Sequence, residues 1–82
     1  MPVIQTGLFS VINRFPSHGE AVKQLFRENS NFQTVCQDYF QCRQALQYWQ
    51  GSDAVQARVR QREYADLLSE LEKEIQEALD MQ

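Results

Sequence analysis

The side chains that could carry chemistry in this 82-residue sequence are two cysteines, one histidine and a group of carboxylates near the C-terminus. Cys36 and Cys42 are six positions apart, without a Cys-x-x-Cys motif and without a fixed basic neighbour, although Arg43 follows Cys42. Inside one predicted helix their Cα atoms would lie about 9 Å apart along the axis, which is beyond disulfide reach. We predict two small core residues, with a thiol-based redox sensor using Cys36 and Cys42 as the alternative function.

The acidic C-terminal segment resembles a metal site only superficially. Glu70, Glu74 and Glu77 share one side of a predicted helix, because residues three or four apart are neighbours. Helical carboxylate sites also use histidines on facing helices, and the only histidine, His18, is far away in the sequence. We therefore expect a solvated outer face and no metal ligand.

Motifs for catalysis or cofactor binding are missing from the sequence. The three glycines stand singly, and neither a phosphate-binding loop, a nucleophile elbow nor a zinc-ligand cluster is present. The sequence thus predicts no catalytic residue, no cofactor, no small-molecule substrate and no enzyme.

The charge pattern excludes nucleic acid as a partner and leaves protein partners open. A net charge of −3 gives no basic footprint for phosphate binding. Arg58, Arg60 and Arg62 precede the acidic segment, an order that opposes the helix macrodipole. An antiparallel partner would explain this order, and local pairing such as Lys73 with Glu77 is the other explanation.

Helix-start signals divide the chain into an apolar N-terminal arm (residues 1–16) and three predicted helices (17–29, 31–50 and 54–80). Ser17 with Glu20, Ser30 with Gln33 and, more loosely, Asp53 with Gln56 have the spacing of a capping box. Gly51 is predicted to end the second helix in a left-handed conformation. The chain is expected to form one all-α domain, with a short helical turn in the arm.

The short link at Gly51 and Ser52 predicts that the second and third helices fold back as an antiparallel hairpin. In that register Tyr39 would face Tyr64. The third helix is the longer one, and we expect the first helix, through Leu25 and Phe26, to cover residues 75–79. The result is a three-helix arrangement with the apolar arm packed on its own chain or on a neighbouring one.

The predicted function is a non-enzymatic protein–protein interaction module that binds another protein or associates with itself as a homo-oligomer, in the manner of a coiled coil. The apolar arm, the overhang of the third helix and a second small apolar patch supply its candidate interaction surface. That surface consists of Val3, Ile4, Leu8, Phe9, Val55, Val59, Ile75 and Leu79.

The sequence predicts a cytoplasmic protein. The most apolar stretch, residues 3–12, is too short and too polar to span a bilayer. It also lacks the basic start of a secretory signal, since the first positively charged side chain is Arg14.

From Phe15 to about Leu79 the chain resembles the YdcH-like group of small bacterial helical-hairpin proteins. The resemblance lies in Phe15-Pro16 before a short helix, Asn31-Phe32 at the start of a second, Asp38-Tyr39 and Leu46 within it, and the amphipathic segment from Leu67 to Ile75. The apolar residues 1–14, the glutamine-rich second helix and the scarcity of lysine depart from the group. The resemblance implies a small bacterial cytoplasmic protein and assigns no functional residue.

Overall fold

The computed structural model describes the backbone of residues 2–81 and the side chains of residues 6–81. This part of the chain is all-helical and contains no strand, which confirms the predicted all-α class. The helices are α1 (Pro2–Arg14), α2 (Gly19–Glu28), α3 (Ser30–Gln50) and α4 (Ala57–Asp80), with a 3₁₀ turn at Pro16–His18 between α1 and α2.

The segment predicted to be an arm is a full helix, α1, which packs on α3 of the same chain. Its 13 helical residues extend well beyond the short helical turn that was expected. Leu8, Val11 and Ile12 recur at helical spacing and join the core, where Val11 is completely buried. Gly7 permits the close approach of the two helices, because a Cβ there would lie 3.1 Å from backbone atoms of Cys36 and Gln37.

The junctions before α2 and α3 use different caps from the predicted ones. Ser17 lies in the 3₁₀ turn, and no side chain caps α2, which begins at Gly19. At α3 the cap is Asn29, whose Oδ1 accepts a hydrogen bond of 3.1 Å from the backbone N–H of Phe32. Asn29 has the extended backbone that an N-cap residue requires, whereas Ser30 is already helical.

The link between α3 and α4 is longer than predicted, since α4 begins at Ala57 and not at residue 54. Asp53 does not cap it; instead Ser52 Oγ accepts a hydrogen bond from the backbone N–H of Ala54 at 3.1 Å. Gly51 ends α3 as predicted, but with φ −94°, outside the left-handed region.

Side-chain hydrogen bonds between α3 and α4 define which residues face each other. Gln61 Nε2 donates to the carbonyl oxygen of Trp49 (3.1 Å), and the Cys42 thiol donates to the carbonyl oxygen of Tyr64 (3.4 Å). The Tyr39 hydroxyl donates to Glu72 at 3.0 Å. The Tyr39 hydroxyl thus bonds to a residue about two helical turns beyond Tyr64, the residue predicted to face it.

One apolar core unites the four helices. Its buried members are Val11, Val22, Phe26, Phe32, Cys36, Tyr39, Cys42, Leu71, Ile75 and Leu79. Ile75 and Leu79 belong to this cluster, so the C-terminal part of α4 is covered within the chain.

Candidate interaction surface

The structure divides the predicted interaction residues into exposed and buried ones. Phe9, Val55 and Val59 are exposed, with Val55 98% accessible. Leu8 is half-buried against the core. The side chains of Val3 and Ile4 lie outside the described residues.

Ile75 and Leu79 do not belong to a free surface. Ile75 is fully buried and Leu79 is 6% exposed. Their burial corrects the expectation that the end of α4 offers them to a partner, because the core they share with Val22 and Phe26 already covers them.

Exposed apolar side chains concentrate on α4 and its two ends. The large exposed apolar residues of the described part of the chain are Phe9, Tyr48, Val55, Val59, Leu67 and Met81. Val55 lies two residues before α4, Met81 directly follows it at 86% exposure, and Val59 and Leu67 lie on it. Water therefore contacts apolar side chains in the first half of this helix and at both of its ends.

The exposed residues on one side of α4 form a continuous row. Val59, Glu63, Leu67, Glu70, Glu74 and Glu77 follow one another at spacings of four and three, so each is a neighbour of the next on the helix surface. We call this row the outer flank of α4. It combines two exposed apolar groups with carboxylates, a composition suited to a polar-rimmed protein contact.

A groove between α3 and α4 adjoins the outer flank at Leu67. Its cavity of about 410 Å³ is lined mainly by apolar groups: Cys42 and Ala45 from α3, and Tyr64, Leu67 and Leu71 from α4. Asp38 and Gln41 supply its polar edge. The groove can accept one or two apolar side chains from a partner, since its volume matches small binding sites.

A polar cluster joins α1, α3 and α4 on another side of the molecule. Arg14 binds Glu72 in a bidentate manner, with Nε to Oε2 at 2.9 Å and Nη2 to Oε1 at 3.2 Å. Tyr39 donates to the same Oε2 at 3.0 Å, and the guanidinium of Arg43 lies 6.0 Å from the Tyr39 ring centroid. Because three helices contribute, we call it the three-helix polar cluster.

The electrostatics of this cluster favour a structural role. Partial burial disfavours the charged form of Glu72, but hydrogen bonds from Arg14 and Tyr39 and nearby positive charge outweigh it, so its pKa lies below the ordinary value. Burial and the bond to Glu72 raise the pKa of Tyr39. A carboxylate held ionised and a phenol held neutral lock three helices together and leave neither group poised for proton transfer near neutral pH.

The thiols occupy the core as predicted for small core residues. Both are free and buried. Burial raises the pKa of Cys36 to about 12. Burial, together with the charge of Asp38, raises the pKa of Cys42. Since the thiolate is the reactive form, these environments weigh against the redox-sensor alternative.

Residues 6–81 contain no group of three or more His, Cys, Asp or Glu side chains placed to hold a metal ion. Among helices α1 to α4 none has the length and apolarity needed to cross a membrane.

Leu67, Met81 and the three-helix polar cluster were missed by sequence reasoning. Leu67 precedes Leu68 on the predicted core stripe, and a residue one step from the stripe centre lies about 100° around the helix. That offset is a usable signal for an exposed flank position. The Arg14–Glu72 pair had no sequence signal, because the two residues are 58 positions apart and Arg14 lies in the segment that was not predicted as a helix.

Comparison with known proteins identifies no relative of this chain. The chain matches no protein-family model, and no curated protein and no solved structure is found to be similar to it. The resemblance to YdcH-like proteins therefore stays a prediction.

Proposed function

We propose that this chain is a non-enzymatic helical module that associates with itself through the exposed apolar side chains of α4. In this proposal α3 and α4 form an antiparallel hairpin that acts as the scaffold, and α1 and α2 close the core behind it. The order of the α3–α4 hydrogen bonds supports the hairpin, since Trp49 meets Gln61 while Tyr39, earlier in α3, meets Glu72, later in α4.

The observation that carries the proposal is the set of apolar groups in water along α4. Val55, Val59, Leu67 and Met81 are all exposed although the core of the same chain is otherwise well covered. Removing apolar area from water stabilises an association by about 25 cal/mol per Å² before the costs of association. A second copy of this surface is a suitable cover for it, and another protein is the alternative partner.

The polar groups support an interaction role over catalysis. Glu72, which has a shifted pKa, is engaged with Arg14 and Tyr39, and both thiols are buried. Free, buried thiols are also compatible with the proposed cytoplasmic location.

The test is the mass in solution of the wild-type protein and of the Val59→Gln/Leu67→Gln variant, measured by sedimentation velocity over a range of concentrations. We expect the wild type to associate reversibly and the variant to stay monomeric with unchanged helicity. Phe9→Gln is the matched control, because Phe9 is similarly exposed but lies on α1. Unchanged association of the double variant would remove α4 from the interface, and a purely monomeric wild type would refute self-association.

A further inference from the structure

We infer that the groove between α3 and α4 is a docking site for a helix of another protein, one that presents apolar side chains flanked by lysine or arginine. The partner differs from that of the proposed self-association, and the groove shares only Leu67 with the exposed apolar residues of α4. Two observations support this site: the apolar floor of the groove and the sign of the charges along its edges.

The floor of the groove is apolar and comes from two helices. Its cavity of about 410 Å³ is lined by residues within 38–45 of α3 and within 64–71 of α4. Cys42 and Leu71 are nearly buried, at 4% and 8% exposure, whereas Leu67 is 48% exposed. Each lining segment covers about 10 Å along its helix axis at the α-helical rise. The groove therefore accommodates two apolar side chains that lie one helical turn apart on a partner.

The α4 edge of the groove carries two carboxylates of the outer flank. Glu74 lies three positions after Leu71, and Glu70 lies three positions after Leu67, so each is a neighbour of a lining residue on the helix surface. Both are exposed, and neither forms an ion pair within the described part of the chain. Lys73 does not neutralise this edge, because it lies about 120° around the helix from Leu67.

The α3 edge adds a third carboxylate at the same end of the groove. Asp38 lines the groove, is exposed and has no ion pair over residues 6–81. Its neighbour Tyr39 bonds to Glu72, which places Asp38 level with residues 70–74 of α4. Arg43 is directed elsewhere, since its guanidinium lies 6.0 Å from the Tyr39 ring centroid and it lines two other cavities. A partner thus meets carboxylates on both edges.

The arginines of α4 do not offset these charges. Arg60 lies towards the other end of the groove, and its Nη1 contacts Glu63 Oε1 at 2.8 Å. Arg58 and Arg62 lie on the far side of the helix, about 140° and 180° around it from Leu71. The excess charge beside the groove is therefore negative, and the complementary partner is basic. An acidic peptide or a nucleic acid would meet like charge.

The backbone around the groove favours a helical partner. The lining residues lie inside α3 and α4, where N–H and C=O groups bond within each helix, so no free edge is available for adding a strand. Recognition then depends on side chains, and an amphipathic helix presents apolar groups four residues apart on one face. Apolar anchors in the floor supply affinity, while basic residues beyond them meet the edge carboxylates and select the partner.

The test uses a synthetic helical peptide, alanine-based, with two leucines four residues apart and lysines one turn beyond them on both sides. Binding is followed by the amide NMR shifts of the full chain at a fixed, micromolar concentration. We expect saturable shifts confined to residues 38–45 and 64–74, with a dissociation constant below about 1 mM. A peptide with glutamates in place of the lysines, and one with alanines in place of the leucines, should each bind more weakly.

Charge variants test the edges of the groove. Asp38→Asn/Glu74→Gln should weaken binding of the lysine peptide by about two- to tenfold. Glu28→Gln/Asp53→Asn is the matched control, because it removes the same amount of charge from exposed positions outside the groove and should leave binding unchanged.

A filling variant tests the floor. Ala45→Gln places a longer, uncharged side chain in the groove and should weaken binding at least about fivefold. Ala65→Gln, exposed on α4 away from the groove, is its control and should have no effect. Circular dichroism checks that each variant keeps its helicity.

Several results would overturn this docking site. They are an absence of saturable shifts up to about 1 mM peptide, shifts centred outside the groove, and equal binding of the lysine and glutamate peptides. Shifts of the same groove amides on dilution of the protein alone would assign the groove to a second copy and would also overturn it. None of the peptide results depends on whether the chain self-associates, so the two proposals can fail separately.

Discussion

Gly7 provides the sharpest test of the packing between α1 and α3. The change Gly7→Ala adds one methyl group to the middle of α1. A Cβ at this position would lie 3.1 Å from the carbonyl carbon and oxygen of Cys36 and from the backbone nitrogen of Gln37. Ordinary contacts between such atoms are about 3.5–4.0 Å, so α1 has to move away from α3 by a few tenths of an ångström.

Two opposing contributions determine whether Gly7→Ala raises or lowers the free energy of unfolding. Alanine is favoured over glycine in a helix interior by about 1 kcal/mol. Overpacking a well-packed contact costs about 1–3 kcal/mol, and the neighbours here are backbone atoms, which cannot rotate away. We therefore expect Gly7→Ala to be destabilising by about 0–2 kcal/mol in net free energy of unfolding.

Gly19→Ala is the matched control on the same chain. Gly19 has a helical backbone (φ −51°, ψ −45°), and a Cβ there would meet no atom within 4 Å. Alanine should stabilise the protein at this position by about 0.4–1 kcal/mol. The two variants should consequently differ in stability by at least about 0.4 kcal/mol, which corresponds to at least about 2–3 °C in Tm for a domain of this size.

The assay is urea and thermal unfolding followed by circular dichroism at one protein concentration. Gly7→Val should be less stable than Gly7→Ala, because a larger side chain extends the same clash. If Gly7→Ala stabilised the protein as much as Gly19→Ala, the close approach of α1 to α3 would be refuted.

Three other residues have consequences that can be measured separately. Asn29→Ala should lower the free energy of unfolding by about 1 kcal/mol, because the cap of α3 is lost. Ser30→Ala should change it by less than about 0.5 kcal/mol. Equal effects of the two variants in urea unfolding would contradict Asn29 as the cap. Glu72 has a folded-state pKa below its value of 4.5 in the unfolded chain, so its stabilisation is present above pH 4.5 and is lost as the pH falls through the folded pKa. The excess stability of wild type over Glu72→Gln at pH 7 should therefore shrink as the pH is lowered below 4.5, and a pH-independent difference would show that the carboxylate charge is not what matters. Cys36, with a pKa of about 12 instead of 9.0, should react with a thiol reagent about a thousandfold more slowly in the native state than in urea; equally rapid native labelling would revive the redox alternative.

The sequence predicted the all-α class and the extent of α3 well, because strong periodicity and a bounded run of good helix formers identify such a helix without tertiary information. It failed at α1, where Gly7 in the middle of the segment argues against a helix locally. The helix forms there because Leu8, Val11 and Ile12 contribute to the core, and Gly7 is needed for the close contact with Cys36. Tertiary packing thus overrides local preference in this segment.

The candidate surface was predicted only in part, because tertiary packing also decides which apolar residues are buried. Val55 and Val59 were placed correctly in solvent because they lie off the apolar stripe. Ile75 and Leu79 were assigned to a partner, since the sequence does not show which helix covers the overhang. Capping residues are equally hard to select when candidates adjoin: Asn29 and Ser30 both have suitable side chains, and only the backbone conformation distinguishes them.

The central claim, self-association through α4, is tested most directly by the mass of the wild-type protein in solution. Size-exclusion chromatography with light scattering should be run from micromolar to millimolar concentration, with and without reductant. The account predicts a reversible shift from monomer to dimer that is independent of reductant, because Cys36 and Cys42 are buried. A constant monomeric mass, or a dimer that disappears when reductant is added, would contradict it.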